Sequence, residues 1–84
     1  MTELSALPNI GKTVEQQLNQ VGIKTSRQLN EVGSKKAWSK IKGIDDSACL
    51  NKLYALEGAI QGIRWHNLSE DIKVELKEFY KSFK

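Results

Sequence analysis

An all-α fold, built as a compact bundle of about five short helices, is what this sequence predicts. Three observations carry that expectation. Apolar residues recur at three- and four-residue spacing through most of the 84-residue chain, and no alternating apolar and polar stretch is long enough for a strand. Glycines at Gly11, Gly22, Gly33 and Gly43 punctuate the first half about every eleven residues. Serine, threonine and aspartate residues suited to helix N-termini interleave with those glycines.

The first helix is expected at about 12–21. Thr13-Val14-Glu15-Gln16 matches a capping box, and Val14, Leu18 and Val21 give the apolar face. Gly22-Ile23 closes it, because glycine accepts the left-handed conformation at a helix end and a following apolar residue completes a Schellman stop. A second helix, about 26–32, opens on the capping box Thr25-Ser26-Arg27-Gln28, carries Leu29 and Val32, and stops at Gly33. The third, about 35–42, is capped by Ser34, buries Ala37, Trp38 and Ile41, and ends on Gly43-Ile44, a repeat of the Schellman pattern. Helices this short do not persist alone, so tertiary packing must hold all three.

The second half changes character. Asp45-Asp46-Ser47 offers an acidic start to a longer helix reaching about Ile63, with Leu50, Leu53, Tyr54, Leu56, Ala59, Ile60 and Ile63 around more than half its circumference. A helix that apolar belongs at the centre of a bundle. Gly58 and Gly62 stand four apart within it, beside Ala55 and Ala59. Glycine inside a helix costs ~1 kcal/mol relative to alanine, so the spacing predicts close approach of another helix. The last helix, about 69–82, has a cap at Asn67 or Ser69, Glu70 and Asp71 in its first turn, and Leu68, Ile72, Leu76, Phe79, Tyr80 and Phe83 at helical spacing. Lys77, Lys81 and Lys84 near its C-terminus complement the helix dipole. Trp38 and Trp65 fall at helical spacing and are expected in the core.

The length fits one domain, residues 1–84, with residues 1–6 expected to be disordered. A chain of this size buries roughly 60–65% of its unfolded surface, enough for one modest core. A hydrophobic content of 39% with 27% charged residues fits a folded globular protein and excludes disorder. No apolar run approaches the ~20 residues that cross a bilayer, so no membrane association is expected. Met1-Thr2-Glu3-Leu4 lacks the basic and apolar regions of a secretory leader. Cys49 is the only cysteine, which precludes an internal disulfide and agrees with a reducing, cytoplasmic setting. One cysteine and one histidine supply no zinc-ligand set, and no cofactor is expected.

Two stretches resemble known families. Leu7-Pro8-Asn9-Ile10-Gly11, then Leu18, then Val21-Gly22-Ile23, resembles the helix-hairpin-helix signature, an apolar-Pro-Gly-apolar-Gly turn leading into a helix. Leu53-Tyr54-Ala55-Leu56-Glu57-Gly58-Ala59-Ile60-Gln61-Gly62-Ile63-Arg64-Trp65, with Leu68 behind it, is more specific. Together with the opening LPNIG, Gly22-Ile23 and Glu31-Val32-Gly33, it is similar to the C-terminal domain of the TfoX/Sxy competence regulators over about residues 5–80. That resemblance implies a SAM/HhH-like helical architecture with a hairpin-like N-terminal turn. It also implies a role in regulating natural transformation, alongside a cyclic-AMP receptor protein at competence promoters, with no assigned enzymatic activity and no cofactor. The family's separate N-terminal α/β unit has no counterpart in these 84 residues. Asn9 occupies the position of the first hairpin glycine; asparagine tolerates positive φ, so the turn is preserved.

Two functional readings follow. The first is a non-enzymatic regulatory module that works by contacting a protein partner; its oligomeric state is not legible. The second is direct, sequence-independent DNA binding. Helix N-termini present unpaired N–H groups and partial positive charge, which singles out Asn9, Ile10, Gly11, Lys12 and Thr13. The basic stretch adds Lys24, Arg27, Lys35, Lys36 and Lys40. Residues 1–42 carry seven Lys or Arg against three acids, a balance of +4, whereas residues 43–84 carry six against seven, a balance of −1. The same lysines also read as solvated faces of short helices, because the overall charge is only +3 and the pI about 9.1. His66, Cys49 and the Asp45-Asp46 pair lack the partners that catalysis or calcium binding needs. Gly22, Gly33, Gly43, Gly58, Gly62, Trp38 and Trp65 are read as structural.

Overall fold

Leu53, Leu56 and Ala59 of the fourth helix lie at the centre of the molecule, packed on by helices from both halves of the chain. A computed structural model of the chain describes residues 4–83. Five α-helices follow in order: α1 (Lys12–Gln20), α2 (Ser26–Val32), α3 (Ser34–Ile44), α4 (Leu50–Gln61) and α5 (Glu70–Ser82). Short 3-10 turns precede α1 at Leu4–Ala6 and precede α5 at Trp65–Asn67. No strand occurs among the described residues, so the all-α reading holds. Leu4–Ala6, within the stretch 1–6 expected to be disordered, form a 3-10 turn whose Leu4 is buried against the core; residues 1–3 lie outside the described residues.

Helix ends follow local chemistry, with four corrections. Gly22 has φ 90° and Ile23 N–H donates to Leu18 O at 2.8 Å, the expected Schellman closure of α1. Thr25 caps α2 by accepting from Gln28 N–H at 3.1 Å, while the Gln28 side-chain Oε1 accepts from Lys24 N–H. Ser69 caps α5 in the same way through Ile72 N–H. The first correction is Thr13, which lies inside α1, leaving Gly11 at the N-cap. Ser34, the second, is the first residue of α3 rather than its cap. Gly33 both ends α2 and starts α3, at φ 88° and ψ 157°, a backbone region that essentially only glycine adopts.

The third and fourth corrections concern the remaining expected stops and starts. Gly43 is not a stop: α3 continues through it to Ile44. Asp45-Asp46-Ser47 does not open α4 but forms the turn before it, where Asp45 Oδ1 accepts Ser47 N–H at 3.0 Å. Gly62 in turn lies just beyond α4, left-handed at φ 77°, and Ile63 N–H closes on Gly58 O at 2.9 Å.

The core is aromatic at one end. Trp38 is only 1% exposed, donates its indole N–H to Cys49 O at 3.1 Å, and meets the rings of Phe79, Tyr80 and Phe83 edge-on at 5.0–6.1 Å. This cluster joins α3 to α5. At the other end Trp65, half-buried, stacks between Tyr54 at 5.8 Å and His66 at 4.0 Å.

Candidate functional site

The N-terminal turn is locked to the far end of α4. Asn9 takes the left-handed conformation, φ 71°, that its short polar side chain tolerates. Its amide donates to Ile63 O at 3.0 Å and to Ala55 O at 3.4 Å, and its carbonyl oxygen accepts Trp65 N–H at 3.3 Å. Those bonds explain Gly58. A Cβ there would lie 2.6 Å from Asn9 Nδ2, 2.8 Å from Ile63 O and 3.1 Å from Trp65 N. The close approach predicted at Gly58 is therefore real, but its partners are the turn and the chain after α4, not another helix.

The five turn candidates consequently divide. Asn9 is committed inward and Ile10 is 5% exposed. Gly11, Lys12 and Thr13 are exposed at the start of α1, where the Gly11 carbonyl accepts Glu15 N–H at 3.0 Å.

The basic candidates divide as well. Arg27 pairs with Glu31 at 3.6 Å on the surface of α2. Lys35 pairs with Glu75 of α5 at 2.6 Å and lies 5.8 Å from the centre of the Phe79 ring. Lys12, Lys24, Lys36 and Lys40 are exposed and take part in none of the three ion pairs among the described residues. Lys36 and Lys40 share one face of α3, one helical turn apart. Lys12 and Lys24 belong to the start of α1 and to the loop after it.

A cleft of about 350 Å³ opens where the start of α3 meets α4 and α5. Val32, Ile72 and Leu76 give it an apolar lining; Lys35, Lys36, Glu57 and Glu75 supply charge. Two contacts bridge its walls: the Lys35–Glu75 pair and a bond from Ser34 Oγ to Glu57 Oε1 at 2.6 Å. Ser34 is 5% exposed, so this charge-assisted bond is shielded. Glu57 also accepts from Gln61 at 2.6 Å, and its carboxylate is bonded to the first residue of α3, whose positive dipole end favours it. Glu57 is the sequence signal for this cleft: it is the one carboxylate in α4, hidden among apolar neighbours.

A second polar network joins α1 to the turn before α4. Asp45 Oδ2 accepts from Gln17 at 2.7 Å, and Lys52 bonds Gln17 at 2.7 Å and lies 3.6 Å from Asp45. Hydrogen bonds from the Ser47 hydroxyl and backbone N–H, then from Gln17, hold the Asp45 carboxyl down at about 2, with Lys52 adding to them. Cys49 is exposed at the N-cap of α4. Among the described residues no group of three or more His, Cys, Asp or Glu could hold a metal ion, and no helix is long and apolar enough to cross a membrane.

The arrangement defines a small helical domain whose accessible features are a mixed-charge cleft, an exposed helix start and a lysine-bearing helix. The sequence model of the TfoX C-terminal domain matches residues 1–80, and the chain belongs to that family. It is similar to a crystal structure of an uncharacterized protein from Listeria monocytogenes, 58% identical with a TM-score of 0.93, covering 94% of this chain and 90% of that one. A tetragonal crystal form of a protein of unknown function from the same organism is 56% identical with a TM-score of 0.92, covering 95% of this chain and 99% of that one. No curated protein matches the chain.

Proposed function

We propose that the chain is a non-enzymatic regulatory interaction module, acting in the cytoplasm through contact with a protein partner in the control of competence and transformation. Membership of the TfoX C-terminal domain family supports the regulatory setting. The observation that carries the protein-contact reading is the cleft, whose apolar lining and flanking charges of both signs suit a protein segment better than a phosphate backbone. Capture from cell lysate tests it, comparing wild type with Ile72→Gln and with Glu75→Lys, each checked for helicity. The expected result is a protein retained by wild type in the presence of nuclease and lost from both variants. Retention that nuclease abolishes, or that neither variant changes, would overturn this reading.

Direct, weak, non-specific DNA binding is the second reading, favoured by the exposed Gly11-Lys12-Thr13 start of α1. Fluorescence anisotropy with duplex DNA at low and physiological salt tests it, wild type against Lys12→Glu. Binding at low salt that weakens with salt and with the substitution is expected; no binding at low salt ends this reading.

A further inference from the structure

Beyond the cleft and the N-terminal turn, two further exposed surfaces remain, one on α3 that starts at the cleft-lining Lys36 and one on α5. Two large hydrophobic side chains stand exposed among the described residues, Ile44 at 50% and Val74 at 56%. Isolated surface hydrophobics are ordinary, but each of these two stands in a four-residue-spaced row of like charges, and the two rows are opposite in sign. Lys36, Lys40 and Ile44 follow one another at i, i+4 and i+8 along α3 and form one exposed row. Glu70, Val74 and Glu78 form the same kind of row on α5. The ion pairs among the described residues join Arg27 to Glu31, Lys35 to Glu75 and Lys52 to Asp45, so these four charges face solvent.

Both rows have the spacing of an α-helix, so with Ile44 on Val74 the Lys40 ammonium falls opposite one glutamate, Glu70 or Glu78 according to the direction of the helices, while Lys36 flanks the contact. Gly43 adds an independent sign. It lies inside α3 without a positive φ, and a Cβ there would meet nothing within 4 Å. Neither a turn nor internal packing requires a glycine, which disfavours the helix. Bare backbone beside Ile44 allows another helix to come closer than a side chain would.

We infer that a second copy of this chain docks its Glu70–Val74–Glu78 row on the Lys36–Lys40–Ile44 row, giving head-to-tail self-association. In the head-to-tail arrangement each copy offers its two rows to two different neighbours, which makes the contact heterologous. An exposed ion pair beside one apolar contact makes it transient and sensitive to salt. It goes beyond the cleft reading and does not depend on it: Lys36 also borders the cleft, but Lys40, Ile44, Glu70, Val74 and Glu78 lie outside its lining.

Sedimentation velocity over a range of protein concentrations tests this with Lys36→Glu/Lys40→Glu on α3 and Glu70→Lys/Glu78→Lys on α5. Circular dichroism confirms that each is folded. Glu70 stands in the first turn of α5, so Val74→Ser/Glu78→Lys replaces the second pair if that variant does not fold. Wild type is expected to gain mass with concentration at low ionic strength and to return to the monomer value in ~1 M salt, where the Debye length is about 3 Å. Each variant alone should stay monomeric, and an equimolar mixture of the two should associate, because each supplies the row the other has lost. A wild type that is monomeric throughout, association that survives either variant, or a mixture that stays monomeric would overturn the inference. So would capture by duplex DNA that needs Lys36 and Lys40 while the chain remains monomeric, which would assign the α3 row to phosphate.

Discussion

Replacing Gly58 by alanine should destabilise the domain even though it improves the intrinsic helix propensity of α4. The propensity gain is ~1 kcal/mol. Against it, the added Cβ would lie 2.6 Å from Asn9 Nδ2, 2.8 Å from Ile63 O and 3.1 Å from Trp65 N. Two of those atoms are backbone and cannot rotate away, and overpacking of this kind costs ~1–3 kcal/mol. Relief by displacing Asn9 breaks its bonds to Ala55, Ile63 and Trp65, each contributing ~0.5–1.5 kcal/mol net. Three such bonds less the ~1 kcal/mol propensity gain leave an expected net loss of about 0.5–3.5 kcal/mol, which lowers Tm by roughly 2–28 °C in a domain of this size. Thermal and urea unfolding followed by circular dichroism measure it. Asn9→Gly keeps access to positive φ but removes the amide, so it isolates the hydrogen bonds. The double variant Asn9→Gly/Gly58→Ala should lose less than the two single losses added together, with a coupling of ~0.5–3 kcal/mol, as expected for residues in contact. A Tm for Gly58→Ala at or above that of wild type refutes the account of this corner.

Gly33→Ala should cost ~1–3 kcal/mol, because φ 88° with ψ 157° is strained for any residue with a Cβ; a melting curve superimposable on wild type would contradict it. Asp45 gives an acid dependence whose sign follows from its lowered carboxyl. Protonation opposes the folded state, so its contribution is present above about pH 4 and disappears as pH falls towards about 2. Asp45→Asn should therefore lose less stability than wild type across that interval, and equal losses in the two proteins would discount the network around Gln17 and Lys52.

Helix number and order were legible because apolar periodicity and helix caps are local. Leu18, Leu29, Trp38, Leu53 and Leu76 could be placed inward from spacing alone, and all are buried. Boundaries failed where a residue type has two local uses. Gly43 resembles a stop, yet the helix carries it and ends at Ile44. Asp45 and Ser47 resemble a helix start, yet their short side chains bond each other in a turn. The sites were less legible, because they depend on contacts between distant residues. Asn9 looked like a conservative stand-in for a glycine facing phosphate; its partners Ala55, Ile63 and Trp65 lie 46 to 56 positions away. The cleft draws on α2, α3, α4 and α5, and no window of sequence contains it.

The Asn9 bonds also bear on the order in which the chain assembles. They close most of the polypeptide into a ring, whereas α3 and α4 meet across one short turn. Long loops cost more entropy to close than short ones, so the α3–α4 hairpin can form while residues 4–11 are still loose. The opening turn then becomes the last piece to seat and the first to lift. Amide exchange at Trp65, whose N–H it holds, should register that lifting at a lower free energy than unfolding of the whole molecule. One asparagine side chain thereby acts as the latch on an otherwise assembled helical body.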